Sequence, residues 1–138
     1  MPSPVAIVSG GESGIGRATA LRLVRAGFRV FVGDYVLRDE NRIPYDELGI
    51  HSQPCDVRRE ADIESLIRSA VTAGGRLDVL VNNAGVALVK PITEVTEEEW
   101  DRCLDTNLKG AFFGCKHAIP HMRSAGGGCI VNVASNAG

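Results

Sequence analysis

A cluster of glycines between a short apolar run and a helical pattern restricts the fold of this chain more than any other feature. Residues 9–16 read SGGESGIG, with glycines at 10, 14 and 16. Gly10 permits a tight turn out of a strand, Gly14 lets the backbone approach a pyrophosphate, and Gly16 lets the helix pack closely on a sheet. A helix that begins here offers free N–H groups and a positive dipole end to phosphates. The pattern predicts a dinucleotide-binding βα unit, with an ordinary glycine-rich turn as the alternative.

Short apolar runs alternate with helical patterns along the rest of the chain. The runs 5–9, 29–33, 50–55, 77–81 and 129–133 are predicted to be strands. Four βα units and a final strand predict an α/β fold, a Rossmann-type doubly wound parallel sheet. Right-handed crossovers favour the strand order 3-2-1-4-5. We expect residues 1–138 to form one NAD(P)-binding domain.

The predicted helices differ in how clearly they are marked. One covers residues 14–26. Another, between the third and fourth predicted strands, is indicated by apolar residues that recur with helical spacing and share one face. Thr96 and Glu99 fit a capping box at the start of a long helix that runs to about Ser124. Pro44 argues against a regular helix in segment 35–49. The residues on the apolar face are Ile63, Leu66, Ile67, Ala70 and Val71.

Composition excludes several classes of protein. The chain has 138 residues, 44% of them hydrophobic, and a formal net charge of -2, which weighs against nucleic-acid binding. No apolar run reaches membrane-spanning length, and the N-terminus lacks the basic region of a signal peptide. The four cysteines form no Cys-x-x-Cys pair, which indicates free thiols in a reducing compartment. These features predict a cytoplasmic protein that binds neither nucleic acid nor membrane.

An acidic residue at the end of the second strand supports the nucleotide hypothesis. Asp34 follows Gly16 by 18 residues, where a carboxylate is expected to bind the adenosine ribose. A carboxylate repels a 2′-phosphate, and neither Ser13 nor Tyr35 supplies a cation, so we expect NAD rather than NADP. Arg17 is expected to point to solvent. Glu12 is expected to project outward, because a negative side chain inside the loop would weaken phosphate binding.

Further motifs make the chain resemble the short-chain dehydrogenase/reductase family. The family's glycine motif is matched by residues 9–16, with serine in place of threonine, and its Asn-Asn-Ala-Gly motif by residues 82–85. Its Asp-Val pair after the third strand is matched by Asp56 and Val57, and its helix asparagine by Asn107. The run VNVAS at 131–135 matches the family's strand that ends in the catalytic serine. The resemblance covers essentially the whole chain.

The resemblance implies a role for each matched residue. Asp56 would bind the adenine amino group, and the Val57 backbone would contact the ring. Ser135 would hydrogen-bond the substrate oxygen, and Asn107 would kink the long helix and hold a water in a proton relay. Asn82 would help to hold the central sheet. The residues expected to bind the cofactor are Gly10, Ser13, Gly14, Ile15, Gly16, Asp34, Asp56, Val57, Asn83 and Gly85.

The family's Tyr-x-x-x-Lys motif has no match in the chain. The tyrosines, Tyr35 and Tyr45, lie far upstream of the expected position. The resemblance implies an NAD-dependent dehydrogenase that transfers a hydride between nicotinamide and a secondary alcohol or ketone, as a dimer or tetramer. The resemblance implies that residues 1–138 are an incomplete domain, truncated after the fifth strand, of such an enzyme. We expect this fragment to be inactive on its own, since it lacks the family's proton donor.

Three other functions are weighed against this one. A methyltransferase would share the glycine loop and the acidic residue but would not require the Asn-Asn-Ala-Gly or VNVAS runs. A non-catalytic nucleotide-binding fragment or sensor would need no proton donor. His117 and His121 have a spacing that zinc could use, but Pro120 lies between them and no third ligand stands out, so no metal is expected.

Overall fold

The computed structural model describes residues 1–136, which form a five-stranded parallel sheet with helices on both faces. The strands lie in the order β3-β2-β1-β4-β5, which confirms the predicted topology. They are β1 (Val5–Ser9), β2 (Arg29–Asp34), β3 (His51–Pro54), β4 (Val79–Asn82) and β5 (Cys129–Asn132). The last two residues of the predicted domain 1–138 lie outside the described residues.

The helices follow the strands in regular alternation. They are α1 (Gly14–Arg25), α2 (Asp39–Leu48), α3 (Glu60–Gly74), α4 (Glu97–Leu104) and α5 (Gly110–Ser124). A 3-10 turn (Ile92–Glu94) precedes α4, and a π turn (Asp105–Lys109) joins α4 to α5. None of the helices in residues 1–136 is long and apolar enough to cross a membrane.

The buried strand β1 divides the core into two layers. Its side chains alternate, so Val5 and Ile7 pack in one apolar cluster while Ala6 and Val8 pack in the other. The first cluster includes residues of α3 and α5, and the second includes residues of α1 and α2. Both faces of β1 are therefore covered, as a continuous apolar run in a parallel sheet predicts.

Helix α2 forms where the sequence predicts irregular structure, so that prediction is wrong. Pro44 lies inside the helix and removes one backbone donor. Asn41 and Tyr45, one helical turn apart, are 1% and 2% exposed, and they fix the same face of α2 against the sheet. Burial of these two side chains outweighs the cost of the proline, because tertiary packing overrides local propensity.

The long helix begins as predicted but is not uniform. Thr96 Oγ1 accepts a hydrogen bond from Glu99 N (3.2 Å), and Glu99 Oε2 accepts one from Thr96 N (2.9 Å), so the capping box is confirmed. Helical structure continues to Ser124, also as predicted. The π turn at Asp105–Lys109 was not predicted, and it inserts an extra residue into the helix beside the Asn107 position.

Asp78 ties three strands together at the amino end of the sheet. Its Oδ2 atom accepts a hydrogen bond from Val5 N (2.8 Å) on β1, and its carbonyl accepts one from Cys129 N (2.8 Å) on β5. The Arg76 guanidinium binds the same carboxylate, with Nη2 2.6 Å from Oδ1. The hydrogen bonds from Arg76 and Val5 hold the pKa of Asp78 below its ordinary value, and burial opposes them.

We expect Asp78→Ala to lower the free energy of unfolding by about 1–3 kcal/mol, because it leaves the Val5 N–H without its acceptor. Asp78→Asn retains an acceptor oxygen and is expected to lose less. Because the folded pKa lies below the unfolded value of about 4, the contribution is present above that pH and disappears as the pH falls further. Denaturant unfolding at neutral and acidic pH measures both effects.

The control for this prediction is Asp46→Ala, which removes an exposed aspartate of α2. An equal loss of stability in Asp78→Ala and Asp46→Ala would contradict the structural role of Asp78. So would a difference between wild type and Asp78→Ala that stays the same at every pH.

Candidate functional site

A cavity of about 690 Å³ lies at the carboxyl ends of the strands. We call it the large cavity, and it has the volume typical of a small-molecule site. It lies outside the reversal point of the strand order, where parallel α/β sheets bind ligands. All but one of the predicted cofactor-binding residues line it: Gly10, Ser13, Gly14, Ile15, Asp34, Asp56, Val57, Asn83 and Gly85.

Gly16, the exception, lies behind the lining and has a steric role. A Cβ atom at this position would overlap the Gly10 carbonyl oxygen and the Asn83 side chain. Gly10 itself has φ +65°, and a Cβ there would lie 2.9 Å from Ala84 Cα. Only glycine at these two positions lets α1 begin directly against the end of β1.

The first turn of α1 is oriented toward the large cavity. Ser13 occupies the N-cap position in an extended conformation, and its side chain makes no capping hydrogen bond. A Cβ on Gly14 would meet no atom within 4 Å, so the backbone is open to an incoming group there. The helix N-terminus can therefore offer N–H groups and its positive dipole end to an anion.

Asp34 is held in a defined orientation at the end of β2. Its Oδ2 atom accepts a hydrogen bond from Glu12 N (3.0 Å), and its Oδ1 atom lies 3.4 Å from Val36 N. The residue is half-buried and lines the large cavity next to the glycine loop. A carboxylate in this place can accept hydrogen bonds from two neighbouring hydroxyl groups of a ribose.

Glu12 is buried, so the expectation that it projects outward is wrong. It is 2% exposed, and its Oε2 atom accepts hydrogen bonds from Asn41 Nδ2 (2.8 Å) and Arg38 N (2.9 Å). Its other carboxylate oxygen accepts the Ser52 hydroxyl. Burial of a charge is tolerated here because three donors satisfy it.

Arg17 takes part in the same group of contacts, which corrects the expectation that it points to solvent. Its Nε atom donates to Asn41 Oδ1 (2.7 Å), while Asn41 Nδ2 also donates to the Glu12 carbonyl (2.6 Å). The Tyr45 hydroxyl donates to the Gly11 carbonyl. Burial, with the nearby Glu12 charge adding to it, raises the pKa of Tyr45 to about 12, so the hydroxyl stays a donor.

Asp56 and Arg58 form an ion pair at the β3 side of the large cavity. Arg58 Nη2 lies 2.7 Å from Asp56 Oδ2, and Arg58 Nε lies 2.9 Å from Oδ1. These hydrogen bonds hold the pKa of Asp56 below its ordinary value, despite its partial burial. The Arg58 guanidinium also lies 5.6 Å from the centre of the Tyr35 ring, within cation–π range.

Sequence reasoning missed the arginines of this cavity. It considered only the chain neighbours of the glycine loop and of Asp34, whereas Arg38, Arg58 and Arg102 all contribute to the lining. The lining therefore contains cations that the cofactor prediction did not take into account. Arg58 is paired with Asp56, and Arg38 Nη1 lies 3.9 Å from a Glu40 carboxylate oxygen, so nearby carboxylates offset two of the three charges.

The Asn-Asn-Ala-Gly segment connects β4 to its neighbours. Asn83 Nδ2 donates to the carbonyls of Ser9 and Gly10 (both 3.1 Å), and Ser9 Oγ accepts from the backbone of Asn83 and Ala84 (both 3.1 Å). Asn82 Nδ2 donates to Asn132 Oδ1 (2.9 Å) across β4 and β5. Asn82 therefore holds the sheet together, and Asn83 fixes the glycine loop.

Asn107 lies in the π turn and lines a second cavity of about 220 Å³. Its Oδ1 atom accepts from Val86 N (2.8 Å), and its Nδ2 atom donates to the Val86 carbonyl (2.9 Å). The side chain thus positions the loop that follows β4. Ala134 lines the same cavity, and the exposed Ser135 follows Ala134 directly in the chain.

One histidine of the pair in the metal hypothesis, His117, contacts a neighbouring helix. His117 Nε2 lies 2.8 Å from Glu60 Oε1, and Lys116 contacts the same oxygen. These contacts join α5 to α3. Within residues 1–136 no three His, Cys, Asp or Glu side chains form a group that could hold a metal ion.

Known proteins resemble this chain in sequence and in fold. The chain is 40% identical to a 4-formylbenzenesulfonate dehydrogenase of Comamonas testosteroni (97% of this chain, 55% of the relative). It is 36% identical to a D-beta-hydroxybutyrate dehydrogenase of Rhizobium meliloti (94% and 53%). The crystal structure of a putative short-chain alcohol dehydrogenase from Sinorhizobium meliloti superposes with a TM-score of 0.89 at 38% identity, covering 98% of this chain and 55% of that one.

The chain thus spans just over half the length of these relatives. The family model described as short chain dehydrogenase matches residues 4–138. That match covers nearly the whole chain, and the parallel sheet and glycine loop agree with it. The chain belongs to the short-chain dehydrogenase family.

Proposed function

We propose that the complete protein containing this chain is an NAD-dependent oxidoreductase acting on a secondary alcohol or the corresponding ketone. The observation that carries the proposal is the position of Asp34, whose carboxylate is fixed by Glu12 N beside the glycine loop. A fixed carboxylate there favours two ribose hydroxyls and disfavours a 2′-phosphate. Family membership supports the oxidoreductase class.

The lining of the large cavity fits a dinucleotide. The loop Gly10–Gly16 and the first turn of α1 would hold the pyrophosphate, and Asp34 would hold the adenosine ribose. Asp56 and Val57, at the end of the neighbouring strand β3, would then receive the adenine ring. When bound, the nicotinamide of such a cofactor supplies or accepts a hydride.

The second cavity is the proposed binding site of the substrate. Ser135, next to its lining, would donate a hydrogen bond to the substrate oxygen. Asn107 would act by positioning the Ala84–Val86 backbone, since both ends of its amide bind Val86. The π turn around it changes the backbone hydrogen bonding, which is compatible with a held water in a proton relay.

The substrate is assigned only as a small alcohol or carbonyl compound. The relatives are named for an aromatic sulfonate, a hydroxybutyrate and hydroxysteroids, which differ in size and charge. We further propose that the complete protein is a cytoplasmic homo-oligomer without nucleic-acid or membrane partners.

A second candidate is a nucleotide-binding fragment without turnover. The observation that favours it concerns the tyrosines. The buried Tyr45 donates its hydroxyl to the Gly11 carbonyl, and burial raises its pKa to about 12, so it keeps its proton at neutral pH. Tyr35, the other tyrosine of residues 1–136, lies in the adenosine part of the large cavity. Neither residue is available as the acid that the chemistry requires near Ser135.

The cofactor prediction is tested by titrating NADH and NADPH into the complete protein and its Asp34→Ala variant. We expect wild type to prefer NADH, and the variant to lose about 1–3 kcal/mol of that preference. The control Asp39→Ala removes an exposed aspartate at the start of α2. Arg38→Ala should strengthen the NADH preference by removing a cation from the lining. Equal affinity of wild type for both nucleotides would disprove NAD dependence.

The role of Ser135 is tested by turnover of the complete protein. Loss of one preorganised donor to the substrate oxygen should lower kcat about 100- to 1000-fold in Ser135→Ala, with NADH affinity little changed. Ser124→Ala is a suitable control, because that serine lies at the far end of α5 and donates to the Pro120 carbonyl. Full turnover by Ser135→Ala would rule out the assigned role.

Residues 1–138 expressed alone should bind NADH but show no turnover. Without a general acid the chemical step should be about 100- to 10,000-fold slower. The polypeptide should also self-associate, because β5 lies at the sheet edge, with Val131 on the strand 44% exposed and Val133 just after it 42% exposed. Size-exclusion chromatography and an NADH oxidation assay against a panel of ketones measure both properties. A monodisperse monomer would contradict the expected self-association, and measurable turnover would contradict the expected inactivity.

A further inference from the structure

We propose that Glu12 is a positioning residue that sets the preference between NADH and NADPH by acting through Asp34. Its carboxylate never enters the lining of the large cavity but lies behind the glycine loop, in contact with α2 and β3. The inference rests on the proposed nucleotide function and adds to it the residue that orients the discriminating carboxylate.

The first step is that every hydrogen-bonding part of Glu12 is engaged. Its backbone N–H donates to Asp34 Oδ2 (3.0 Å), and its carbonyl accepts from Asn41 Nδ2 (2.6 Å). Its carboxylate accepts from Asn41, from Arg38 N and from the Ser52 hydroxyl. A side chain that is 2% exposed and held by three donors fixes its own backbone.

The second step concerns what the fixed backbone does. Glu12 N is the donor that holds Asp34 Oδ2, so the orientation of the Asp34 carboxylate depends on the position of the loop at Glu12. A preorganised carboxylate binds ribose hydroxyls without an ordering cost and cannot turn away from a 2′-phosphate. If the loop loosens, hydrogen bonding to NADH weakens and repulsion of NADPH relaxes.

The third step separates geometry from charge. Asn41 Oδ1 also accepts Arg17 Nε (2.7 Å), so a cation lies on the far side of Asn41 from the Glu12 carboxylate. Glutamine in place of Glu12 can keep its oxygen toward Asn41 and Arg38 N and donate its amide to the Ser52 hydroxyl, which also accepts. Glu12→Gln therefore preserves the contacts while removing the charge, and Glu12→Ala removes both.

The experiment measures dissociation constants for NADH and NADPH in the complete protein by fluorescence titration. We expect Glu12→Ala to lower the ratio of NADH to NADPH affinity about fivefold, the size expected for one lost hydrogen bond, and Glu12→Gln to change it less than about twofold. In an Asp34→Ala background, Glu12→Ala should leave the ratio unchanged, because the residue through which it acts is gone. Glu47→Ala, an exposed glutamate on α2, is the matched control.

The outcomes distinguish this inference from the proposed function. Weaker binding of both nucleotides by the same factor in Glu12→Ala, with the ratio unchanged, would show a merely structural role and overturn the inference while leaving NAD binding intact. A ratio change that persists in the Asp34→Ala background would also overturn it. Failure of wild type to bind either nucleotide would overturn the proposed function, and this inference with it.

A milder variant covers the case in which Glu12→Ala does not fold, as judged by its thermal unfolding. Ser52→Ala removes one of the three donors to the Glu12 carboxylate, at a position of β3 that does not line the large cavity. It should lower the affinity ratio about twofold in the same direction. An unchanged ratio in a folded Ser52→Ala variant would contradict the inference.

Discussion

The close approach of α1 to the carboxyl end of β1 is the constraint on which the rest of the site depends. A Cβ at Gly16 would overlap the Gly10 carbonyl, so the two glycines are needed for the helix to begin at that point. The Asn83 amide occupies the space beside them and donates to the Gly10 carbonyl (3.1 Å). Because β1 is buried on both faces, the helix N-terminus is fixed relative to the whole sheet. A dipole and a set of N–H groups held this rigidly need no reorganisation to meet a phosphate.

The parts of the fold that the sequence predicts are those carried by local patterns. The apolar runs, the glycine loop and the capping box at Thr96 each depend on residues a few positions apart, and the structure confirms them. The strand order followed from the handedness of crossovers, a rule independent of side chains. Among the residues that line the large cavity, the glycine loop and Asp34 were predicted from motif spacing. Asp56, Val57, Asn83 and Gly85 were predicted from the family resemblance. The bounds of β1 matched the prediction, and those of the other strands differed by one or two residues, since pairing with neighbours decides where a strand ends.

The features that sequence reasoning missed all depend on contacts between distant segments. Helix α2 forms despite Pro44 because Asn41 and Tyr45 find partners in the glycine loop, about thirty residues earlier in the chain. Glu12 could be buried only because Asn41 and Ser52, which flank it from α2 and β3, supply donors. No local sequence pattern predicts such a group of hydrogen-bonded side chains. The one available signal for these contacts was the glutamate in a loop predicted to bind phosphate, because an unfavourable charge there needs a compensating environment.

The N-terminus of α1, which can bind an anion, and several carboxylates lie in or beside the large cavity. Each carboxylate has different hydrogen-bond partners. Asp56 carries a bidentate arginine, so its charge is offset at the β3 side of the cavity. The Glu12 carboxylate is buried away from the cavity, and the hydrogen bonds that it accepts hold α2 and β3 to the glycine loop. Asp34 is held by the backbone N–H groups of Glu12 and Val36. These neutral donors orient the carboxylate and leave its charge in place, whereas a guanidinium would neutralise it. In the proposed nucleotide complex, repulsion of a 2′-phosphate would therefore be concentrated at Asp34, while the glycine loop and the helix dipole would hold the pyrophosphate.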